Sequence, residues 1–375
     1  MNYQNYFQKK LLNLKAKNLY RAPKINNGKL LNFCSNDYLG LAENKVVKNA
    51  AIKAIEKFGV GAKASRYVFS DNNLAEKLEN KLAELKKCDA AITLGSGYLS
   101  GVGVIPALVG EGDLIIADKL IHSSLIDGCK LSGAKLLRFK HNDLEHCQII
   151  LEKSSLRGGK ADAAIQKDQK ILIITETVFS MDGNLGRVDE LLELAKKYNC
   201  LILSDDAHGL GIIKTKYPKY DFHLQSGTLS KAAGGYGGYV CGSALMIDYL
   251  RNFTKSAIYS TALPAAVLAA NLKAIEIITK DKKLGKKALE NARYFCDLIG
   301  LKKPQSTIVP IIIGDTSKTL ELSQKLKQNG FLISAIRPPT VENNKSRLRI
   351  TFCANHKKSD IKKLAKLILK YCYGI

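Results

Sequence analysis

The stretch Cys200-Leu201-Ile202-Leu203-Ser204-Asp205-Asp206-Ala207-His208-Gly209 decides the fold. Its apolar start has the length of a buried strand, and its polar end carries two carboxylates and a histidine. Working outward, runs of the same kind recur at Ala90–Leu94, Leu114–Ala117, Lys135–Phe139, Ile171–Thr175 and Tyr239–Ile247. Helical patterns lie among them, at Lys45–Phe58, Asn72–Lys87 and Val188–Tyr198. Strands alternating with helices specify an α/β fold with a largely parallel sheet. Ligands of such sheets bind at the carboxyl ends of the strands.

The flanks read differently. A helix is expected over Tyr6–Lys17, a turn at Asn26-Asn27-Gly28 and a short apolar run at Leu30–Phe33, before the polar break Ser35-Asn36-Asp37. Beyond residue 264 a long helix, Pro264–Thr279, leads to Ile308–Ile313, Thr319–Asn329, Leu332–Ile336, Leu348–Phe352 and a closing helix, Lys358–Tyr371. That reads as a smaller α+β domain. The expected division is an N-terminal segment 1–44, a large domain 45–264 and a small domain 265–375, with a surface insertion at Arg157–Lys170.

Composition narrows the class. Apolar residues make up 46% and charged residues 25% of 375, ordinary values for a globular protein with a large core. No apolar run reaches membrane-spanning length, and the polar, basic start Met1–Lys10 is no signal peptide, so no membrane partner is expected. Nine cysteines without a C-x-x-C pair point to reduced thiols and a cytoplasmic setting. The net charge of +24 invites a nucleic-acid reading. Only ten of the 58 basic residues are arginine, and the lysines are spread along the chain, so the charge reads as a solvated surface and no nucleic-acid partner is expected. That surface favours acidic ligands such as coenzyme A or an acidic carrier protein.

Four features sit at strand ends. Gly95-Ser96-Gly97-Tyr98-Leu99-Ser100-Gly101 opens a helix, where backbone N–H groups and the helix dipole favour a phosphate; taken alone it reads better as a plain tight turn. In Asp205-Asp206-Ala207-His208-Gly209 a carboxylate can pair with a cationic ring nitrogen and the histidine can reach a phenolic oxygen; helix capping is the alternative, and a metal site lacks a third ligand. Thr228-Leu229-Ser230-Lys231, followed by a glycine-rich run, presents an amine with room for a planar ligand, although a lone lysine is usually solvated. His122, in Lys119-Leu120-Ile121-His122-Ser123-Ser124, can stack on an aromatic ring or simply cap a helix. Together they offer handles for a phosphate, a pyridine nitrogen, a phenolic oxygen and an aldehyde, which are those of pyridoxal 5'-phosphate (PLP).

These motifs, with Asn32-Phe33-Cys34-Ser35-Asn36-Asp37-Tyr38-Leu39-Gly40, Gly59-Val60-Gly61-Ala62, Glu176-Thr177-Val178-Phe179-Ser180-Met181-Asp182-Gly183, Tyr259-Ser260-Thr261, Ala335-Ile336-Arg337-Pro338-Pro339-Thr340-Val341 and Arg347-Leu348-Arg349-Ile350, carry a resemblance. The chain resembles the α-oxoamine synthases, PLP-dependent transferases of fold type I, over nearly its full length. The Ile336–Val341 segment resembles the biotin-forming branch, which condenses L-alanine with a pimeloyl thioester of coenzyme A or acyl carrier protein. The resemblance implies that Lys231 holds PLP as a Schiff base and shuttles the α-proton. It implies that Asp205 keeps the pyridine nitrogen protonated, that His208 and Ser180 contact the phenolic oxygen, and that His122 stacks on the ring and borders the substrate. Gly97, Tyr98 and Thr228 are implied at the phosphate. Ser260 and Thr261 are implied at the phosphate of a partner subunit, hence a homodimer. Asn36 and Arg349 are implied at the amino-acid carboxylate, and Thr340 and Arg21 at the acyl substrate. The chain departs from the family pattern in Lys63–Asp71, which lacks an expected glycine, and at Glu342, where proline is usual. Both places border the acyl entrance in this reading and leave the acyl chain open; the alternative activities are those of the sister enzymes glycine C-acetyltransferase and 5-aminolevulinate synthase.

Overall fold

The computed structural model describes residues 1–23, 25, 28–155, 169–213 and 217–374. Of the expected turn Asn26-Asn27-Gly28 only Gly28 is described, and of the insertion Arg157–Lys170 only Gln169 and Lys170; the rest lies outside the described residues. In chain order the elements begin with α1 (Tyr3–Ala16), β1 (Leu31–Asn32), α2 (Lys45–Phe58), α3 (Leu74–Lys86), β2 (Ala90–Leu94), α4 (Gly97–Leu108), β3 (Leu114–Asp118) and α5 (Ser123–Ser132). Next come β4 (Lys135–Phe139), α6 (Leu144–Ser155), β5 (Ile171–Glu176), α7 (Val188–Lys197), β6 (Leu201–Asp205), β7 (His223–Thr228), β8 (Gly238–Gly242), α8 (Ala244–Phe253), α9 (Lys255–Ile258) and α10 (Ala265–Lys280). The chain closes with α11 (Lys283–Leu298), β9 (Ile308–Gly314), α12 (Thr316–Gln328), β10 (Phe331–Leu332), β11 (Ser334–Ile336), β12 (Ser346–Thr351) and α13 (Lys358–Ile368).

The chain forms two compact units, 37–180 with 184–286, and 1–36 with 181–183 and 287–375. These divide elsewhere than at 44/45 and 264/265, because α10 packs on α2 and α3 and so joins the larger unit. The larger unit holds a seven-stranded sheet in the order β2-β8-β7-β6-β5-β3-β4. Within it β8 alone runs against its neighbours. Both faces are covered, as the continuous apolar runs require. Ile115, Leu172 and Leu203 enter one cluster with Ile105 and Leu125; their chain neighbours Ile116, Ile173 and Ile202 enter another with Leu151 and Leu192. This alternation places successive side chains of one strand in opposite cores.

Two elements escaped the reading by apolar runs. Strand β7 is buried throughout yet reads His-Leu-Gln-Ser-Gly-Thr. Some of its polar side chains find partners instead of an apolar wall: His223 Nε2 lies 2.8 Å from Ser204 Oγ, and Gln225 Nε2 donates to Cys88 Sγ, whereas Ser226 Oγ meets none among the described residues. The expected run Tyr239–Ile247 is not one strand. It stops at Gly242, and Ser243 caps α8 by accepting from the Met246 N–H.

The smaller unit contains the antiparallel sheet β11-β12-β9 and the parallel pair β1-β10. Its core gathers Phe33, Phe295, Phe331 and Phe352. The expected stretch Leu332–Ile336 divides between β10 and β11, so that Phe331–Leu332 pairs with β1 while Ser334–Ile336 pairs with β12. No helix among the described residues is long and apolar enough to cross a membrane.

Candidate active site

In the larger unit the carboxyl ends of β2, β3, β5, β6 and β7 bring the expected residues together. Asp205 ends β6, and Glu176 ends β5 as its register partner. Lys231 follows β7 by a turn in which Ser230 N–H donates to Thr228 Oγ1 and Gly234 N–H donates to the Lys231 carbonyl. Gly234 sits at φ +66°, and a Cβ there would meet Ala42 N at 2.2 Å, so glycine is required for the turn to close. Lys231 Nζ lies 2.9 Å from His208 Nε2. The other ring nitrogen of His208 lies 2.7 Å from the hydroxyl of buried Tyr38.

His122 caps α5. Its Nδ1 accepts from the Ser124 N–H and lies 2.8 Å from Ser124 Oγ. Burial lowers its pKa, against the pull of Asp205. Asp205 Oδ1 accepts the Ala207 N–H at 2.9 Å. Burial raises the Asp205 pKa and the Lys231 ammonium opposes it. Glu176 is 2% exposed, and its Oε1 meets no partner among the described residues. Burial first, then the neighbouring Asp205, raise its pKa well above the usual carboxylate range.

The first helix end has room for an anion. Ser96 caps α4 by accepting the Leu99 N–H, leaving the Gly97 and Tyr98 N–H groups at the open end. A Cβ on Gly97 would come within 3.0 Å of Thr228 Cβ, so the loop and the end of β7 are drawn close. The Tyr98 hydroxyl itself turns to Asp127 Oδ2, at 2.7 Å. Ser180 lies four residues beyond Glu176 in the turn after β5. Ser260 and Thr261 line a cavity with Gly61, Arg66, Thr93 and Gly95. In the smaller unit Arg349, which is buried, donates to Asn36 Oδ1 at 3.2 Å, and Arg21 donates to Thr340 Oγ1 at 2.9 Å.

Three contributors were not singled out from sequence. Tyr38 and Glu176 lie inside quoted motifs, and the signal for Glu176 was a carboxylate ending an apolar strand. The third is a buried ion pair, Lys86 Nζ to Asp206 Oδ2 at 2.7 Å, which neutralises the carboxylate next to Asp205. Nothing local marks Lys86, since its partner is 120 residues away.

This donor set fits PLP. A helix end beside Thr228 suits a phosphate, a strand-end carboxylate with one backbone donor suits a pyridinium, and a histidine-bonded amine suits an aldehyde. Among the described residues no group of three His, Cys, Asp or Glu could hold a metal ion.

Fold and site define a fold type I PLP-dependent enzyme. The sequence profile of class I and II aminotransferases matches residues 28–368. The 8-amino-7-oxononanoate synthase of Beijerinckia indica is 43% identical, over 92% of this chain and 88% of its own length. The solved 8-amino-7-oxononanoate synthase of Francisella tularensis is 28% identical with a TM-score of 0.73, covering 92% of this chain and 100% of that one. A serine palmitoyltransferase solved with PLP shares the fold at 23% identity and a TM-score of 0.83, over 100% of this chain and 97% of that one. The chain belongs to the 8-amino-7-oxononanoate synthases, a family of PLP-dependent acyltransferases.

Proposed function

We propose that the chain condenses L-alanine with a pimeloyl thioester, releasing CO₂ and a free thiol and forming 8-amino-7-oxononanoate for biotin synthesis. The observation that carries this reading is the Lys231–His208 hydrogen bond beside the Asp205 carboxylate. The kinship with 8-amino-7-oxononanoate synthases supports the choice of substrates.

PLP, when bound, supplies an electron sink for negative charge at the amino-acid Cα. The rest falls to the chain. The Lys231 amine holds the cofactor and, once free, takes the Cα proton of alanine and later returns one to the product. Asp205 holds the ring nitrogen's proton, and its burial strengthens that attraction. The Gly97 and Tyr98 N–H groups and the Thr228 hydroxyl bind phosphate. Ser180 and His208 hold the phenolic oxygen, and Tyr38 fixes the orientation of His208. His122 covers the ring and donates to charge developing on the thioester oxygen. Asn36 and Arg349 hold the alanine carboxylate before it leaves as CO₂, and Arg21 and Thr340 border the acyl chain.

The lysine-rich surface, net charge +24, supports an anionic acyl donor, coenzyme A or acyl carrier protein. All nine cysteines are free thiols, which supports a cytoplasmic setting. Ser260 and Thr261 serve the partner's phosphate in a homodimer. A thiol-release assay crossing alanine, glycine and serine with pimeloyl and acetyl thioesters tests the reading. Alanine with the pimeloyl thioester should exceed every other pair by at least about tenfold in kcat/KM; a preference for glycine with the acetyl donor would transfer the chain to a sister activity.

A further inference from the structure

The turn that carries His122 and the turn that carries Ser180 leave different strands, β3 and β5, yet both side chains are assigned to one ring. A cluster outside the site joins them. Asp118, the last residue of β3, is completely buried. Its Oδ1 accepts the Leu120 N–H at 2.8 Å, and its Oδ2 accepts the Asn142 N–H at 2.8 Å. Both oxygens face His141 Nδ1, at 3.0 and 3.1 Å. The other nitrogen of that ring, Nε2, lies 2.7 Å from Asn184 Nδ2. Asn184 closes the second turn, because its carbonyl accepts the Phe179 N–H at 3.0 Å, one residue before Ser180. The His141 ring also stands edge-on to Phe179, with centroids 4.3 Å apart at 86°. Asn142 adds a bond from Nδ2 to the Leu185 carbonyl at 2.8 Å.

The chemistry of the ring suits the link. Both Asp118 oxygens accept backbone N–H groups and both face Nδ1, so Nδ1 carries the hydrogen and donates to them. Nε2 of the neutral ring then accepts from the Asn184 amide. One donor and one acceptor on a rigid plane bridge a carboxylate on one turn and an amide on the other. His141 follows β4, the edge strand of the sheet, which carries none of the residues assigned to PLP or substrate.

We infer that His141 is a positioning residue: through Asp118 and Asn184 it holds the His122 turn and the Ser180 turn at the spacing the cofactor ring requires. This rests on the roles proposed for His122 and Ser180. The ring does not touch the reacting atoms. Its contribution is preorganisation, so it should act first on cofactor affinity.

The test is PLP titration of the apo-protein, followed by the visible absorbance of the Lys231-bound cofactor, with thermal unfolding in parallel. His141→Phe keeps the ring and its contact with Phe179 but removes both bonds; PLP affinity should fall by roughly tenfold. His141→Gln offers an amide donor and a carbonyl acceptor and should recover affinity to within about threefold of the parent. Asn184→Ala, which cuts one side of the bridge, should fall between them. His141→Phe combined with Ser180→Ala should lose less than the two single losses together, since His141 works through that turn. Unchanged PLP affinity in His141→Phe and Asn184→Ala, a loss that adds fully to that of Ser180→Ala, or a His141→Gln variant as weak as His141→Phe would each overturn the inference. Should His122→Ala and Ser180→Ala leave PLP affinity and alanine turnover intact, the reading of the site fails instead.

Discussion

Two carboxyl groups and one amine meet at the strand ends, and their residue-level environments set them apart. Glu176 and Asp205 are register partners at the ends of β5 and β6, with the Lys231 ammonium near both. Like charges this close do not both ionise freely. Glu176 is the more strongly pushed up, by burial and by Asp205, while its carboxyl accepts the His122 backbone N–H. Burial and Asp205 thus make Glu176 the carboxyl less ready to carry charge, while the Lys231 ammonium opposes the rise at Asp205. Glu176→Gln should keep PLP affinity and alanine turnover within about threefold, whereas Glu176→Leu, which strands the His122 N–H, should lose about tenfold or more. PLP titration and thiol release check both. Equal losses in the two variants would mean that Glu176 works as an anion. At this scale the sequence marked Asp205, His208 and His122 because each is a reactive side chain after an apolar run, and Lys231 by the hydroxyls before it and the glycines after it. Tyr38 and Glu176 gained their meaning only from a hydrogen bond and a strand register.

At the scale of elements, β7 shows why hydropathy alone falls short. A central strand whose buried side chains are polar has no apolar run to announce it. Pairing offsets part of its cost, and His223 must stay neutral to accept that burial. Burial lowers its pKa from 6.5 to about 3. The sign follows directly. Below pH 6.5 the unfolded chain takes up a proton that the folded chain refuses, so the contribution is complete above pH 6.5 and is lost as pH falls toward 3. Between pH 7 and pH 5 this one group should remove about 2 kcal/mol of stability. His223→Gln should be flatter over the same range. Urea midpoints at the two pH values would show it, and parallel curves for parent and variant would remove His223 from the pH dependence.

At the scale of the whole molecule, the exposed apolar side chains of the larger unit support the proposed homodimer. Val60, Val68 and Tyr259 are 78%, 80% and 81% exposed. The segments that carry Val68 and Tyr259 are tied by the Ala262 N–H to Ala64 carbonyl bond and by Ser65 Oγ to the Ile258 carbonyl. Both segments border the cavity containing Ser260 and Thr261. Exposed apolar side chains on joined segments call for a cover. Sedimentation should find a dimer, and Tyr259→Glu should shift it toward monomer with weaker PLP retention. A Tyr259→Glu protein that remains dimeric with full PLP affinity would place the interface elsewhere.

Much of the element order and the strand-end residues were legible in sequence, β7 and α11 excepted, because apolar period, capping side chains and glycine positions act over a few residues and leave a local trace. Asn44 starts α2 where the pattern begins, and Gly59, at φ +82°, ends it. Only the tertiary structure decided that Tyr38 meets His208, that Lys86 neutralises Asp206 and that His141 bridges two turns. Those partners lie 170, 120 and 23 to 43 residues apart in the chain. Polar pairing in a core depends on strand order and register, and no local pattern encodes which buried donor will meet which acceptor.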